Sequence, residues 1–240
     1  MKLVEAVWEK RNLGVLCNEI TITEEDTAES VKEKIPAYET EYTVVKVPAG
    51  RVDIMFALSD MGFYFVECSI KVSYDVKKYA LQGMQKRLVD AVAYASMEQD
   101  DIEQLFDEIR KGLFTTDRIF LDPHFSKEDA ANRYIGWISD ELKRNTSIYK
   151  LLYKNETVGF FALKDLGEGV YYPFLSAIYP DSSKTGLGIS SVFKPVEEVI
   201  KRNGRMIESY LSSNNSNAMH NIAFGLQICE SSYVYVKHRS

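Results

Sequence analysis

Cysteine and histidine are scarce in this chain. Cys17, Cys68 and Cys229 are the only thiols among 240 residues, an odd number with no CxxC spacing. That pattern argues against a disulfide framework or a zinc knuckle. His124, His220 and His238 lie far apart in sequence, so their spacing gives no support for a metal site. No run of about 18 apolar residues is present, so no segment reads as a bilayer-spanning helix. Residues 1–10 include Glu5 and Glu9 and lack an apolar stretch, so they do not read as a secretory signal. Positive charge is also short: 29 Lys and Arg against 35 Asp and Glu leave a net charge of −6. Broad attraction to nucleic acid or to an anionic membrane is therefore not expected. Any anionic ligand must be held by local donors. These absences leave a cytoplasmic enzyme or binding protein as the expected class.

What is present is a globular balance, 45% hydrophobic and 27% charged, able to bury a sizeable core. The length is long for one domain and short for two. Residues 43–47 are rich in β-branched side chains and precede Pro48, a strand signal. Ile54, Ala57 and Leu58 then recur at helical spacing, Gly62 fits a C-terminal cap, and residues 63–72 read as a strand or hairpin. Residues 73–87, with Lys77, Lys78, Lys86 and Arg87, read as a connection. Residues 88–94 have strand character. Asp100 and Glu103 resemble a capping box before a helix with Ile102, Leu105, Phe106, Ile109 and Leu113 on one face. Ser126 opens a second helix, whose stripe of Ala130, Tyr134, Trp137, Ile138 and Leu142 reads as core. The pattern predicts a small α/β unit over 1–78 and a main unit over 85–240.

Strand patterns then cover residues 148–153, 157–163 and 170–178, separated by turn chemistry at 154–156 and 165–169. They predict a three-stranded antiparallel meander. A loop over 180–188 leads to a helix bearing Ile189, Val192, Val196, Val199 and Ile200, with Pro195 inside it as an expected kink. Gly204 ends the helix. A strand over 206–211, a polar loop over 212–217, a short helix to Phe224 and strands to His238 follow. Lys201, Arg202 and Arg205 read as a solvated helix end, Glu208 as a paired strand carboxylate, and Cys229 as a small buried hydrophobe.

The strongest chemical feature is Gly186-x-Gly188 between a strand and a helix. Glycines let backbone N–H groups converge, and the helix N-terminus adds positive potential. Together they can cradle a pyrophosphate, with Lys184 adding charge. The glycines alone favour an ordinary turn before a helix. A P-loop is absent. A dinucleotide fingerprint is also absent, because Ser191 replaces its third glycine and the preceding strands form a meander.

This succession of elements resembles the GNAT superfamily of N-acetyltransferases. Residues Ser183-Lys184-Thr185-Gly186-Leu187-Gly188 occupy the place of that family's [QR]xxGx[GA] pyrophosphate loop, with Ser183 where the family prefers Gln or Arg. Ile178-Tyr179-Pro180 looks like its fourth-strand end, Asn214 or Asn215 like its Asn after the fifth strand, and Phe224-Gly225-Leu226 like its helix end. Trp8-Glu9, Asn12-Leu13-Gly14, Val47-Pro48-Ala49, Met61-Gly62-Phe63, residues 117–123, Arg133-Tyr134, Trp137-Ile138 and Tyr233-Val234-Tyr235 resemble the TDP-fucosamine acetyltransferase type.

The resemblance implies an α/β GNAT fold with a mixed, mainly antiparallel sheet, plus a small α/β N-terminal domain. It implies acetyl-CoA as co-substrate and no metal. The acceptor would be a primary amine of a small molecule, such as a nucleotide-linked amino sugar, and a homodimer is compatible with this reading. Ile178, Tyr179, residues 183–189 (Ser183, Lys184, Thr185, Gly186, Leu187, Gly188, Ile189), Asn214 and Asn217 would bind the cofactor. A backbone N–H near Ala177-Ile178-Tyr179 would hold the oxyanion. Asp117, Arg118, Asp122 and His124 would face the acceptor. Asn221 stands where such enzymes often place a proton-donating Tyr. His220 lies about 100° round the helix, and Tyr210, Tyr233 or water remain as donors. A degenerate acyl-CoA-binding protein and a protein or peptide acetyltransferase are the rival readings.

One internal echo remains. Met61-Gly62-Phe63 and Phe224-Gly225-Leu226 each follow a predicted helix and precede a strand. Two similar turns would produce it, and so would an N-terminal unit that is a truncated copy of the last part of the main one.

Overall fold

A computed structural model describes residues 1–239, and the side chains of residues 183–185 lie outside that description. The first part of the chain forms β1 (Lys2–Glu5), α1 (Val7–Leu13), β2 (Cys17–Thr21), α2 (Ala28–Lys34), β3 (Tyr42–Pro48), α3 (Val52–Asp60) and β4 (Tyr64–Asp75). The second part forms α4 (Gly83–Asp90), β5 (Val92–Ser96), α5 (Gln99–Arg110), α6 (Arg118–Leu121), α7 (Lys127–Lys143), β6 (Ser147–Tyr153), β7 (Glu156–Gly167) and β8 (Val170–Ile178). It ends with α8 (Gly188–Lys201), β9 (Met206–Ser212), α9 (Ser216–His220) and β10 (Gln227–His238).

The meander is present as read. The β6–β7 turn places Lys154 and Asn155 at φ 51° and 68°, the left-handed pair that a tight hairpin requires. Phe160 and Phe161, adjacent in β7, are both fully buried. Successive strand side chains point to opposite faces, so this sheet is covered on both sides. Phe161 packs with Val89, Phe193 and Val199 beneath α4 and α8. Phe160 packs with Ile102, Leu105 and Ile138 beneath α5 and α7.

All ten strands form one sheet, ordered β1-β2-β3-β10-β4-β9-β8-β7-β6-β5. The C-terminal strand β10 lies between β3 and β4, and β4 lies between β10 and β9. Two neighbouring pairs are parallel, β2 with β3 and β8 with β9. Read outwards from the β4/β10 pair, both sides have the same sequence of strands: an antiparallel neighbour, then a parallel one, then an antiparallel one. The echoed segments 61–63 and 224–226 lead into the two central strands of this arrangement.

Residues 73–87 are not a plain connection. β4 continues to Asp75, and α4 begins at Gly83. Lys86 and Arg87 are on the wet face of a helix whose Val89 is fully buried, and Lys77 and Lys78 lie in a 3-10 turn over Val76–Lys78 before it. The following strand therefore starts at Val92. The capping box of α5 is Glu98 with Asp101, two residues earlier than Asp100 with Glu103, whereas Ser126 caps α7 as its sequence predicts. α8 runs through the buried Pro195 without a break.

One buried ion pair joins α1 to α7. The Arg133 guanidinium donates to both carboxylate oxygens of Glu9, at 2.8, 2.9 and 2.6 Å. The two helices touch at Gly136, where a Cβ would sit 2.3 Å from Asn12 Oδ1. A side chain there would displace the Asn12 amide.

Candidate active site

β8 and β9 are paired only at Val170↔Met206 and Tyr171↔Ile207, and then diverge. Pro173 lies just beyond, has no N–H to give a ladder, and faces a register shift on β7. The split opens a cavity of about 660 Å³, within the range of small-molecule sites. Beyond Tyr171 the β9-facing edge of β8 has no strand partner, so its backbone groups are placed to pair with an extended ligand.

α8 starts at this split. Gly186 adopts φ 76°, the left-handed conformation, and turns the chain into the helix. Gly186, Gly188 and Ile189 line the cavity. A Cβ at Gly188 would meet nothing within 4 Å, so there is open space beside its backbone. Unsatisfied N–H groups and the dipole of this 14-residue helix make its start an anion cradle. The helix is anchored from behind. Glu198 accepts hydrogen bonds from Tyr94 (2.9 Å), Tyr149 (2.7 Å) and Arg202 (2.8 Å). Burial raises its pKa, but the Arg202, Tyr149 and Tyr94 hydrogen bonds together hold it below the usual carboxylate range. Arg202 therefore points inward rather than forming a solvated end.

The structure brings Ile178, Gly186, Gly188, Ile189, Asn217, Tyr210, His220, Asn221 and Asp117 to the cavity wall. Other expected residues are elsewhere. Ser183, Lys184 and Thr185 carry side chains outside the described residues. Leu187 and Tyr179 are buried in the two core clusters flanking the sheet. The Asn214 amide donates to the Val66 carbonyl at 3.0 Å, tying the turn after β9 to β4. Its neighbour Asn215 reaches the cavity and caps α9 through Ala218 N–H at 3.0 Å. Arg118 is buried against Glu19, 2.8 Å away, and braces the N-terminal strands. Tyr233 packs with Phe65 and the N-terminal core. Glu208 pairs with Lys71 at 3.0 Å as expected, whereas Cys229 is exposed rather than buried.

Asp122 and His124 meet His238 instead of the cavity. His124 Nδ1 lies 3.0 Å from Asp122 Oδ1, and His238 Nε2 lies 2.7 Å from Oδ2. The imidazoles stack 3.9 Å apart at 14°. A metal ion binds in the plane of each ring, and these near-parallel planes meet only far from the ring nitrogens. The cluster is held by its own hydrogen bonds.

Tyr210, 57% exposed, stands at the cavity mouth with its ring edge-on to Tyr172. Burial first, and the neighbouring Tyr210 second, push the Tyr172 hydroxyl up to about 12. Asn221 has an amide that gives up no proton at neutral pH. The opposite wall was missed in the sequence. Phe114 and Tyr134 stack 4.3 Å apart, and Trp137 meets Tyr134 edge-on at 5.4 Å. These side chains line the cavity together with Phe174. Their helical spacing on α7 reads as core, and the burial of Tyr134 agrees. Only the position of the β8/β9 split reveals that the stripe also faces a ligand space.

An extended mixed sheet covered by helices, with one diverging parallel pair and a helix start at the split, defines the chain by fold: it is that of the GCN5-related N-acetyltransferases. A GCN5-related N-acetyltransferase from Sphaerobacter thermophilus superposes with TM-score 0.57 at 12% identity, covering 88% of this chain and 64% of that one. A tandem GNAT protein of clavulanic acid biosynthesis superposes with TM-score 0.52 at 10% identity, covering 88% and 68%. A conserved protein of unknown function from Staphylococcus epidermidis gives TM-score 0.63 at 12% identity, covering 93% and 84%. No family model and no curated protein matches the sequence. Among the described residues, no helix is long and apolar enough to cross a membrane.

Proposed function

We propose that the chain transfers an acetyl group from acetyl-CoA to a primary amine of a small molecule. The observation that carries this reading is the start of α8, whose two glycines open onto the cavity at the β8/β9 split. The pyrophosphate of acetyl-CoA would sit on the N–H groups there. The pantetheine arm would lie along the unpaired edge of β8, its amides continuing the ladder. That places the thioester beside Ala177 and Ile178, where a backbone N–H can donate to the developing oxyanion.

The acceptor would enter from the aromatic side. Its nitrogen, once neutral, attacks the thioester carbon, and the C–S bond of the tetrahedral intermediate breaks. The nitrogen loses its extra proton, and the departing thiolate gains one. Tyr210, on the cavity wall, would exchange the proton, with His220 and water as alternatives. Much of the rate would come from holding both substrates together.

Calorimetry with acetyl-CoA tests the reading. The intact chain should bind, and Gly186→Asp should not, because a carboxylate would repel the diphosphate. Aspartate tolerates the left-handed conformation better than most residues, so the variant should stay folded. Equal binding by both proteins would place the ligand elsewhere. Asn221 favours a second reading, an acyl-CoA-binding protein without turnover. Thermal stabilisation by CoA with no amine acetylated would select it.

A further inference from the structure

We infer that the acceptor is an unphosphorylated amine with a planar, apolar body rather than a nucleotide-linked sugar. This deepens the transferase reading and rests on it. The wall opposite the helix start is built from Phe114, Tyr134, Trp137 and Phe174. Aromatic faces of this kind stack on flat apolar groups and attract cations.

The charges point the same way. Among the described residues, no Lys or Arg lines the cavity, and Asp117 is its one carboxylate. Asp117 Oδ1 is used locally, accepting from the Ile119 and Phe120 N–H groups at 2.9 and 3.4 Å. Its Oδ2 is enclosed and has no hydrogen-bond partner. Arg133 Nη1 already lies 3.9 Å from Oδ1, so Asp117 is not an open cation site, but its negative charge still opposes an anion on this wall.

Two cations do touch the aromatic wall, and neither is available to a phosphate. Arg133 lies 3.9 Å over the Trp137 ring and is bound to Glu9. Lys164 lies 4.4 Å from the Phe174 ring and is bound to Glu141 at 2.8 Å. A diphosphate in the acceptor half would have to strip one of them from its carboxylate. The cradle at α8 is committed to the pyrophosphate of CoA. The acceptor must therefore bring an ammonium and an apolar body, and no phosphate.

The experiment is calorimetry on the CoA-saturated protein with four probes: phenethylamine, tyramine, glucosamine 6-phosphate and a UDP-linked amino sugar. The two aromatic amines should bind, and the two phosphorylated ones should bind at least about tenfold more weakly. Trp137→Leu should weaken the aromatic amines about tenfold, and Asp117→Asn should reduce their preference over phenethyl alcohol. Equal or tighter binding of either phosphorylated probe would overturn the inference, and so would failure of both aromatic amines to bind. Neither result touches the transferase reading, which falls if acetyl-CoA does not bind or if it binds and no amine is acetylated.

Discussion

At the scale of single residues, Glu19 shows how charge is managed beneath the sheet. It lies between Arg118 and Lys46, each 2.8 Å away. Burial alone would raise its pKa. The attraction of Arg118, then Lys46, outweighs that cost and holds it at about 2, against an ordinary value of 4.5. A depressed pKa means that the folded state binds fewer protons than the unfolded state. The stabilisation is therefore complete above about pH 4.5 and is lost as pH falls towards 2, on the order of 3 kcal/mol in all. Melting temperature measured from pH 6 to pH 2.5 should decline through that window. Glu19→Gln should lower it at neutral pH, where Arg118 loses its partner, and should flatten the decline. An unchanged slope in that variant would assign the acid sensitivity to other carboxylates.

At the scale of elements, the Glu9–Arg133 pair couples the N-terminal helix to the wall of the cavity. Arg133 and Trp137 are one turn apart on α7, and the guanidinium lies on the indole. Removing one partner of a buried pair leaves the other charge uncompensated, at a cost of about 3–5 kcal/mol. Glu9→Gln should therefore shift the denaturation midpoint strongly, and Glu9→Leu combined with Arg133→Met should recover much of the loss. If α1 positions the wall, the double variant should retain stability yet raise KM for the amine more than it lowers kcat. A double variant with unaltered kinetics would confine the pair to a structural role.

What the sequence revealed at this scale follows from locality. The meander was legible because its alternation and turn residues are contiguous, and α7 because Ser126 caps it. β1, β2, α1 and α2 were not, because each spans seven residues or fewer and its apolar pattern repeats only about twice. The placement of β10 between β3 and β4 depends on partners such as His238 and Tyr42, which no local pattern connects. The glycine cradle could be read from spacing. The aromatic wall could not, because core and ligand contacts share the same helical period.

At the scale of the whole molecule, the sheet does not divide between 1–78 and 85–240. β4 supplies a partner to both β9 and β10. Cutting the chain after residue 78 would strip β10 of both its neighbours and β9 of one, exposing strand edges on the second piece, which invites aggregation. Expressed alone, residues 85–240 should be insoluble, and co-expression with residues 1–78 should recover a soluble complex. A monomeric 85–240 fragment with a cooperative melt would show that β4 is dispensable.

The two parallel pairs differ in one respect. β8 and β9 part after two paired positions, whereas β2 and β3 stay joined over five, from Cys17↔Tyr42 to Thr21↔Lys46. The helix start beside the closed pair is also occupied, since Thr27 Oγ1 accepts from the Ser30 N–H at 3.2 Å. The doubled architecture should therefore give a single receptor site: titrated with acetyl-CoA, each polypeptide should saturate at one molar equivalent rather than two.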